Sequence, residues 1–263
     1  MIPYFEQPSI HILGPISIHA FGVLLALALV LGIRGFMQRV RARGLDVQRA
    51  ERLATALVFG GLVGAHLVDR VFYEFRDTLA QPWTLLMPWR GMSSYGGFFG
   101  GMAGAWWVLR SRPAEEVWRY VDAAAAVVPV GWCVGRLGCF LAFDHVGIPT
   151  TSWIGQRYAD GLVRHNLGLE EAIFWAFMIP VVHVLEQRPL TPGMTAGVIA
   201  LLYAPVRFGL DFLRVGDAGL GGLIVSQYAS IIMFMAGVGV VASALVRTPP
   251  GMNGHTISGG GTA

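Results

Sequence analysis

Lysine is absent from the chain: all 19 basic positions are arginine, they face only 16 acidic residues, and charged side chains make up 13% of the 263 residues. A chain so poor in charge does not cover a soluble globule. With 54% hydrophobic residues and a mean hydropathy of +0.57, the composition predicts an all-α polytopic membrane protein. The net charge of +3 is small and no segment reads as an RNA or DNA module, so no nucleic-acid partner is expected. Cysteine is nearly absent too. Cys133 and Cys139 lie within one apolar segment, in neither a metal-ligand nor a disulfide spacing, so no metal and no cofactor is expected. The first fourteen residues hold no lysine or arginine, which predicts a retained first span rather than a cleaved signal. No Gly-x-Ser-x-Gly segment occurs, which argues against an intramembrane serine protease.

What the chain does have is long apolar runs. A bilayer core of ~30 Å takes ~20 apolar residues as helix, and seven stretches approach that length: 16–36, 50–72, 92–109, 121–143, 172–185, 195–213 and 220–246. Between the first two lie Arg34, Arg39, Arg41, Arg43, Arg49 and Arg52 against Asp46 and Glu51, which places that loop in the cytoplasm by the positive-inside rule. Alternation from there predicts about seven transmembrane helices, N-out and C-in. The expected organisation is one integral membrane domain over 1–247 and a flexible Pro- and Gly-rich tail over 248–263.

Glycines recur at four-residue spacing in three of these spans: Gly60 and Gly64; Gly96, Gly100 and Gly104, with Gly97 and Gly101 one position on; Gly131 and Gly135. Such faces let helix backbones approach closely. They equally leave room for an acyl chain or headgroup, and the spacing does not choose.

The polar residues inside the spans carry the chemistry. The stretch 131–147, GWCVGRLGCFLAFDHVG, places Arg136 at membrane depth, where an isolated cation costs ~2.5–3.5 kcal/mol on insertion scales. In 203–214, Arg207, Asp211 and Arg214 follow at i, i+4 and i+7 and are expected on one helical face. Each buried arginine has an acid nearby in sequence, Asp144 for Arg136 and Asp211 for Arg207. Two such pairs form either a structural network or a clamp for phosphate oxygens, which guanidinium matches bidentately. Other polar candidates are His19 early in the first span, the cluster His66, Asp69 and Arg70, and the span openings Ser93, Ser94, Tyr95 and Ser226, Gln227. The charges gather toward the outer half, which argues against a transport path through the bundle.

GRLGCFLAFDHVG, at 135–147, resembles the signature of the bacterial prolipoprotein diacylglyceryl transferases, in which Gly-Arg-x-Gly-Asn-Phe leads through an Asn to an acidic residue and a Gly. LGPISIHAFG (13–22), GMSSYGGFFGG (91–101), VRFGLDFLR (206–214) and SQYAS (226–230) are similar to further family segments in the same order. The resemblance implies a multi-pass protein of the bacterial inner (cytoplasmic) membrane that moves the diacylglyceryl group of phosphatidylglycerol to the lipobox cysteine of a prolipoprotein signal peptide, releasing glycerol phosphate. It implies that Arg136 and Arg207 polarise the phosphate, and that Asp144, Asp211, Arg214, His19, Gly96 and Gly97 line the lipid site.

Departures fall on the thiol side. Tyr95 stands for the family's histidine, Phe21 for a tyrosine, Cys139 and Ala142 for two asparagines, and His66 for an arginine. RHNLGLEE (164–171) keeps Arg164 and His165 and loses most of Pro-Ser-Gln-Leu-Tyr-Glu. The thiol-activating base is then Tyr95 as phenolate, His66 or His145. The alternative is a relative that binds anionic phospholipid through the clamp without transfer.

Overall fold

The structure is a computed structural model that describes residues 1–13, 16–87, 90–216, 219 and 221–247. The tail expected over 248–263 lies outside the described residues. An N-terminal hairpin, β1 (Ser9–Leu13) and β2 (Ile16–His19), leads into α1 (Ala20–Ala42). Helix α2 (Val47–Val68) runs into a π-helical turn at Asp69–Tyr73, followed by α3 (Phe75–Ala80), a 3-10 turn at Pro82–Leu86 and α4 (Ser94–Leu109). After α5 (Ala114–Ala125) and α6 (Val128–Leu141) come three short strands, β3 (Val146–Pro149), β4 (Gln156–Arg157) and β5 (Val163–Asn166), in the sheet order β3-β5-β4. The long helices α7 (Leu167–Glu186), α8 (Met194–Asp211) and α9 (Val225–Arg247) complete the chain.

Among the described residues, five helices, α1, α2, α7, α8 and α9, are long and apolar enough to cross a membrane, and six when α5 and α6 count as one broken span. The fourth expected span, 121–143, is that broken pair, bent by 41°. Its cause is local: Pro129 sits in the first turn of α6, where a missing N–H is tolerated, and this restarts the helix at a new angle. The third expected span is α4, whose 16 residues reach about 24 Å at the α-helical rise, short of the bilayer core.

The chain divides into two compact units, Met1–Gly32 with Val121–Ala263, and Ile33–Tyr120. In the unit of Ile33–Tyr120, α2 and α4 cross through their glycines. A methyl on Gly64 would sit on the Gly96 carbonyl oxygen and 2.8 Å from the Gly100 Cα; one on Gly100 would sit on the Gly60 carbonyl oxygen and 2.9 Å from the Gly64 Cα. The partner helix therefore fills the face at Gly60, Gly64, Gly96 and Gly100, which decides for packing over an acyl-chain groove. Gly97 makes only ordinary contacts, 3.6 Å from the Ala65 Cβ and the Gly61 carbonyl oxygen. Backbone cannot give way as a side chain does, so Gly100→Ala should force the helices apart. The expected cost is about 1–3 kcal/mol, in the range for overpacking, read as lowered resistance to unfolding in detergent. Unchanged stability would mean that the helices are not packed through this face.

In the other unit, α7 and α8 pack around Trp175, Met178, Val182, Ile199 and Tyr203, all at least nine-tenths buried. Helix α8 begins at Gly193 without a side-chain cap of its own. Asp122 supplies one from α5: its carboxylate accepts the Gly193 N–H at 2.7 Å and the Ala196 N–H at 2.9 Å. That contact satisfies orphan donors at the start of the helix that carries Arg207.

Candidate active site

The site is built where α6 and α7 touch. Gly168, in the first turn of α7, lies so close to α6 that a methyl there would be 2.8 Å from the Phe140 nitrogen and 3.0 Å from the Cys139 Cβ. One turn back from Cys139 is Arg136; one turn on from Gly168 is Glu171. The crossing turns these two side chains toward each other, and Arg136 Nε lies 3.1 Å from Glu171 Oε1. From α8, Arg207 Nη1 donates to Glu171 Oε2 at 3.1 Å. Tyr203 donates its hydroxyl to Glu171 Oε1 at 2.5 Å, and the Trp132 indole N–H donates to the same oxygen at 3.0 Å. Both aromatic rings rest against Trp175, which fixes their polar ends. The Glu171 side chain is 0% exposed, and the two arginines are 14% and 11% exposed.

Two cations on different helices thus share one buried carboxylate, the compensation that a buried charge needs. Arg207 also faces Asp211, one turn on, with Nη2 3.0 Å from Oδ1. That contact is an ion pair and not a hydrogen bond, because the donor is out of line: neither oxygen of the buried Asp211 carboxylate accepts a hydrogen bond. An underpaired buried carboxylate is costly and marks a site that needs explanation.

Sequence reasoning missed Glu171 and assigned Arg136 to Asp144. In the structure the partner of Arg136 is Glu171, while Asp144 Oδ2 lies 3.0 Å from His145 Nδ1. Nearness in sequence was the wrong guide, because α6 ends at Leu141 and Asp144 lies in the loop beyond it. A signal did exist. Glu171 is the one acid inside an apolar helix beyond its first turn until Glu186, and counted from His165 it falls on the Glu that closes Pro-Ser-Gln-Leu-Tyr-Glu.

Arg214 leaves the face it was expected to share with Arg207 and Asp211. Helix α8 stops at Asp211, and the chain is drawn to the edge of β3: Ile148 N–H donates to the Leu213 carbonyl at 2.8 Å, and Gly147 bridges to Arg214. His19 closes β2, paired with Ser9, and precedes the first helix instead of lying in it. With Gln7, Phe21, Ala142, Phe143 and Asp144 it lines a cleft of about 390 Å³.

Past α6 the chain folds back on itself. Phe143 and His145 both have left-handed backbones, φ 55° and 58°, a conformation that costs a non-glycine residue about 1–2 kcal/mol. Ring packing holds the first of them, with Phe143 centroids 4.8 Å from Phe5 and 5.4 Å from both Tyr4 and Tyr158. The turn returns Asp144 and His145 to the last turn of α6 beside Cys139, whose Sγ is 3.9 Å from Arg136 Nη1. The Asp144 carboxylate and the Cys139 sulfur raise the His145 imidazole to about 8 against the opposing effect of burial. His145 in turn lowers the Asp144 carboxyl.

Tyr95 and His66 belong to the unit of Ile33–Tyr120. Tyr95 is the second residue of α4 and 38% exposed; Ser93 caps that helix, as expected, by accepting the Gly96 N–H at 3.4 Å. The buried His66 ring lies between two backbone carbonyls, Nδ1 3.3 Å from Gly91 O and Nε2 3.1 Å from Leu85 O. Arg70 pairs with Asp69 at 2.7 Å and donates to the Arg90 carbonyl at 3.1 Å. These contacts tie the segment before α4 to the end of α2.

Fold and site together define a helical membrane protein with an arginine pair held on a buried carboxylate, the kind of centre that handles an anion at membrane depth. A family model described as prolipoprotein diacylglyceryl transferase matches residues 8–243. The chain belongs to that family. It is 30% identical over 269 residues to the phosphatidylglycerol–prolipoprotein diacylglyceryl transferase of Pseudomonas fluorescens (strain SBW25), an alignment covering 95% of this chain and 98% of the relative. The protein of the same description from Ectopseudomonas mendocina (strain ymp) is 29% identical over 266 residues, with the same coverage of each.

Proposed function

We infer that this chain is a phosphatidylglycerol–prolipoprotein diacylglyceryl transferase, the activity for which its relatives are named. It transfers the diacylglyceryl group of phosphatidylglycerol to the lipobox cysteine of exported prolipoproteins and releases glycerol phosphate. The observation that carries the reading is the convergence of Arg136 and Arg207, from α6 and α8, on Glu171 at 3.1 Å each.

Glu171 holds both cations in place before the lipid arrives. Its hold on Arg136 is through Nε, while Nη1 points toward Cys139, which leaves Nη2 to meet a phosphodiester oxygen. When the acceptor sulfur attacks the glyceryl carbon, the carbon–oxygen bond to phosphate breaks and its electron pair stays on the phosphate oxygen. Cations already placed stabilise that growing charge without reorganisation. Arg207 bridges Glu171 and Asp211, and Asp144, His19 and the nearby cleft suit the wall of the substrate site. Tyr95 as a thiol-activating residue and Arg214 as a lipid-binding one rest on the family resemblance alone. The composition, the arginines from Arg34 to Arg52 and the family together support a bacterial inner-membrane setting, seven spans when the short α4 is counted, with the N-terminus outside, one integral membrane domain over 1–247 and no nucleic-acid partner.

The test is transfer of labelled diacylglycerol from phosphatidylglycerol to a lipobox peptide by the purified protein. Label on the peptide cysteine, absent from a serine version of the peptide, is the expected result. No label, with phosphatidylglycerol still bound in an Arg136-dependent manner, overturns the reading in favour of a lipid-binding relative.

A further inference from the structure

We propose that Cys139, Asp144 and His145 form a three-ligand site for Zn²⁺ whose open fourth position takes the acceptor cysteine as a thiolate. The acceptor half of this proposal rests on the transferase reading above; the metal half does not.

One ligand atom from each residue, the Cys139 sulfur, an Asp144 carboxylate oxygen and a His145 ring nitrogen, lies within 4.8 Å of the other two. Cysteine spacing alone hid this set, because it exists only where the left-handed turns at Phe143 and His145 fold the chain back over the end of α6. A hydrogen bond from the Leu167 N–H to the His145 carbonyl, at 3.4 Å, helps to hold the turn.

One detail points to a shared cation. His145 Nδ1 is buried and makes no in-line hydrogen bond, although it lies 3.0 Å from Asp144 Oδ2. A nitrogen and a carboxylate oxygen that approach so closely hold a cation between them, and with the Cys139 sulfur as a third donor that place fits a metal ion as well as a proton. The His145 side chain as a whole is 22% exposed, and the Asp144 side chain 55%, so the site is not sealed.

The donor set selects the metal. Thiolate, imidazole and carboxylate together suit zinc, whereas magnesium and calcium take oxygen ligands. Three protein ligands with one open position is the pattern of a zinc that works on a substrate, while closed four-ligand sites are structural. Charge balances as well. Thiolate and carboxylate neutralise the dication, and the adjoining Arg136 is already compensated by Glu171.

The site has an approach and a purpose. The cleft lined by Gln7, His19, Phe21, Ala142, Phe143 and Asp144 opens onto it, which gives a peptide segment room to bring in its thiol. Zinc deprotonates a coordinated thiol outright, and that supplies a thiolate in a chain where Tyr95 stands for the family's histidine. The step balances without an oxidant. The bound thiol gives its proton to water, its sulfur forms a bond to the glyceryl carbon, and the carbon–oxygen bond to phosphate breaks with the electron pair on the departing glycerol phosphate. Zinc stays divalent. Because Arg136 Nη1 is 3.9 Å from Cys139 Sγ, nucleophile and leaving group are held in adjoining places.

The experiment uses the full-length protein in detergent, loaded with zinc chloride, desalted and assayed for metal, and then loaded with Co²⁺ as a spectroscopic probe. About one zinc per chain is expected, as for a single mononuclear site. Cys139→Ser and His145→Ala should each lose it while keeping Arg136-dependent phosphatidylglycerol binding, which shows that they fold; either variant suffices should the other not fold. With Co²⁺ a sulfur-to-cobalt charge-transfer band is expected, strengthened by a cysteine lipobox peptide and unmoved by its serine version. A wild-type protein that retains no zinc, zinc retained in full by Cys139→Ser, or a cobalt spectrum indifferent to the peptide thiol each overturns the proposal. Zinc bound through Cys139 without transfer would sink the transferase reading and leave the metal site. Full-rate transfer by metal-free protein would do the reverse.

Discussion

Arg136→Ala lowers diacylglyceryl transfer by about 10²–10³-fold, the loss typical when one preorganised electrostatic donor is removed from a reacting oxygen. The fold should survive the change. Glu171 keeps Arg207, Tyr203 and Trp132 as partners, so no buried carboxylate is stranded. The loss therefore falls on the lipid: binding of phosphatidylglycerol weakens, and the rate with saturating lipid falls as well, because the departing phosphate loses its counter-charge. Arg136→Lys should recover only part of the rate, since an ammonium offers a point charge where the site is built for a planar fork that meets Glu171 through Nε. Initial rates over a range of phosphatidylglycerol concentrations separate the two effects. Wild-type activity in Arg136→Ala would remove the clamp from the mechanism.

Replacing Glu171 has the opposite profile. Glu171→Ala leaves two guanidinium groups, an indole N–H and a tyrosine hydroxyl around an empty acceptor position in a fully buried place. Breaking a buried ion pair by removing one partner costs about 3–5 kcal/mol, and here one carboxylate serves two cations. The expected result is a protein that accumulates poorly in membranes and unfolds far more readily in detergent. Glu171→Gln, with the same shape and one good acceptor, should lie between the two. Comparison of unfolding in detergent for the three proteins checks this. Wild-type stability in Glu171→Ala would mean that the arginines have another anchor.

The contrast between these residues shows what could be read in advance. Arg136 and Arg207 stand out in the sequence because a cation in an apolar run is conspicuous wherever it is met. Asp211 follows from Arg207 because four residues on a helix is a fixed geometry, and the structure keeps that pair. Glu171 was hidden because its partner lies on another helix, and the choice between Asp144 and Glu171 depends on how closely Gly168 lets α7 approach α6. Arg214 was misplaced because pairing with the edge of β3 competes with one more turn of α8, and helical periodicity cannot register a rival from elsewhere in the chain. The glycine faces were legible as faces, but only the crossing of α2 and α4 says that a helix, and not a lipid, fills the one at Gly96 and Gly100.

By itself the sequence determined the membrane character, the helical segments, the family and the two buried arginines. All of these rest on hydropathy, local periodicity and residue identity, which add up along the chain without reference to distant segments. The tertiary structure alone decided which carboxylate the arginines share, where α8 ends, how the fourth span bends and that Cys139, Asp144 and His145 meet. Each of those is a distance between segments, set by backbone approach and by two left-handed residues, and hydropathy and local periodicity do not encode such distances.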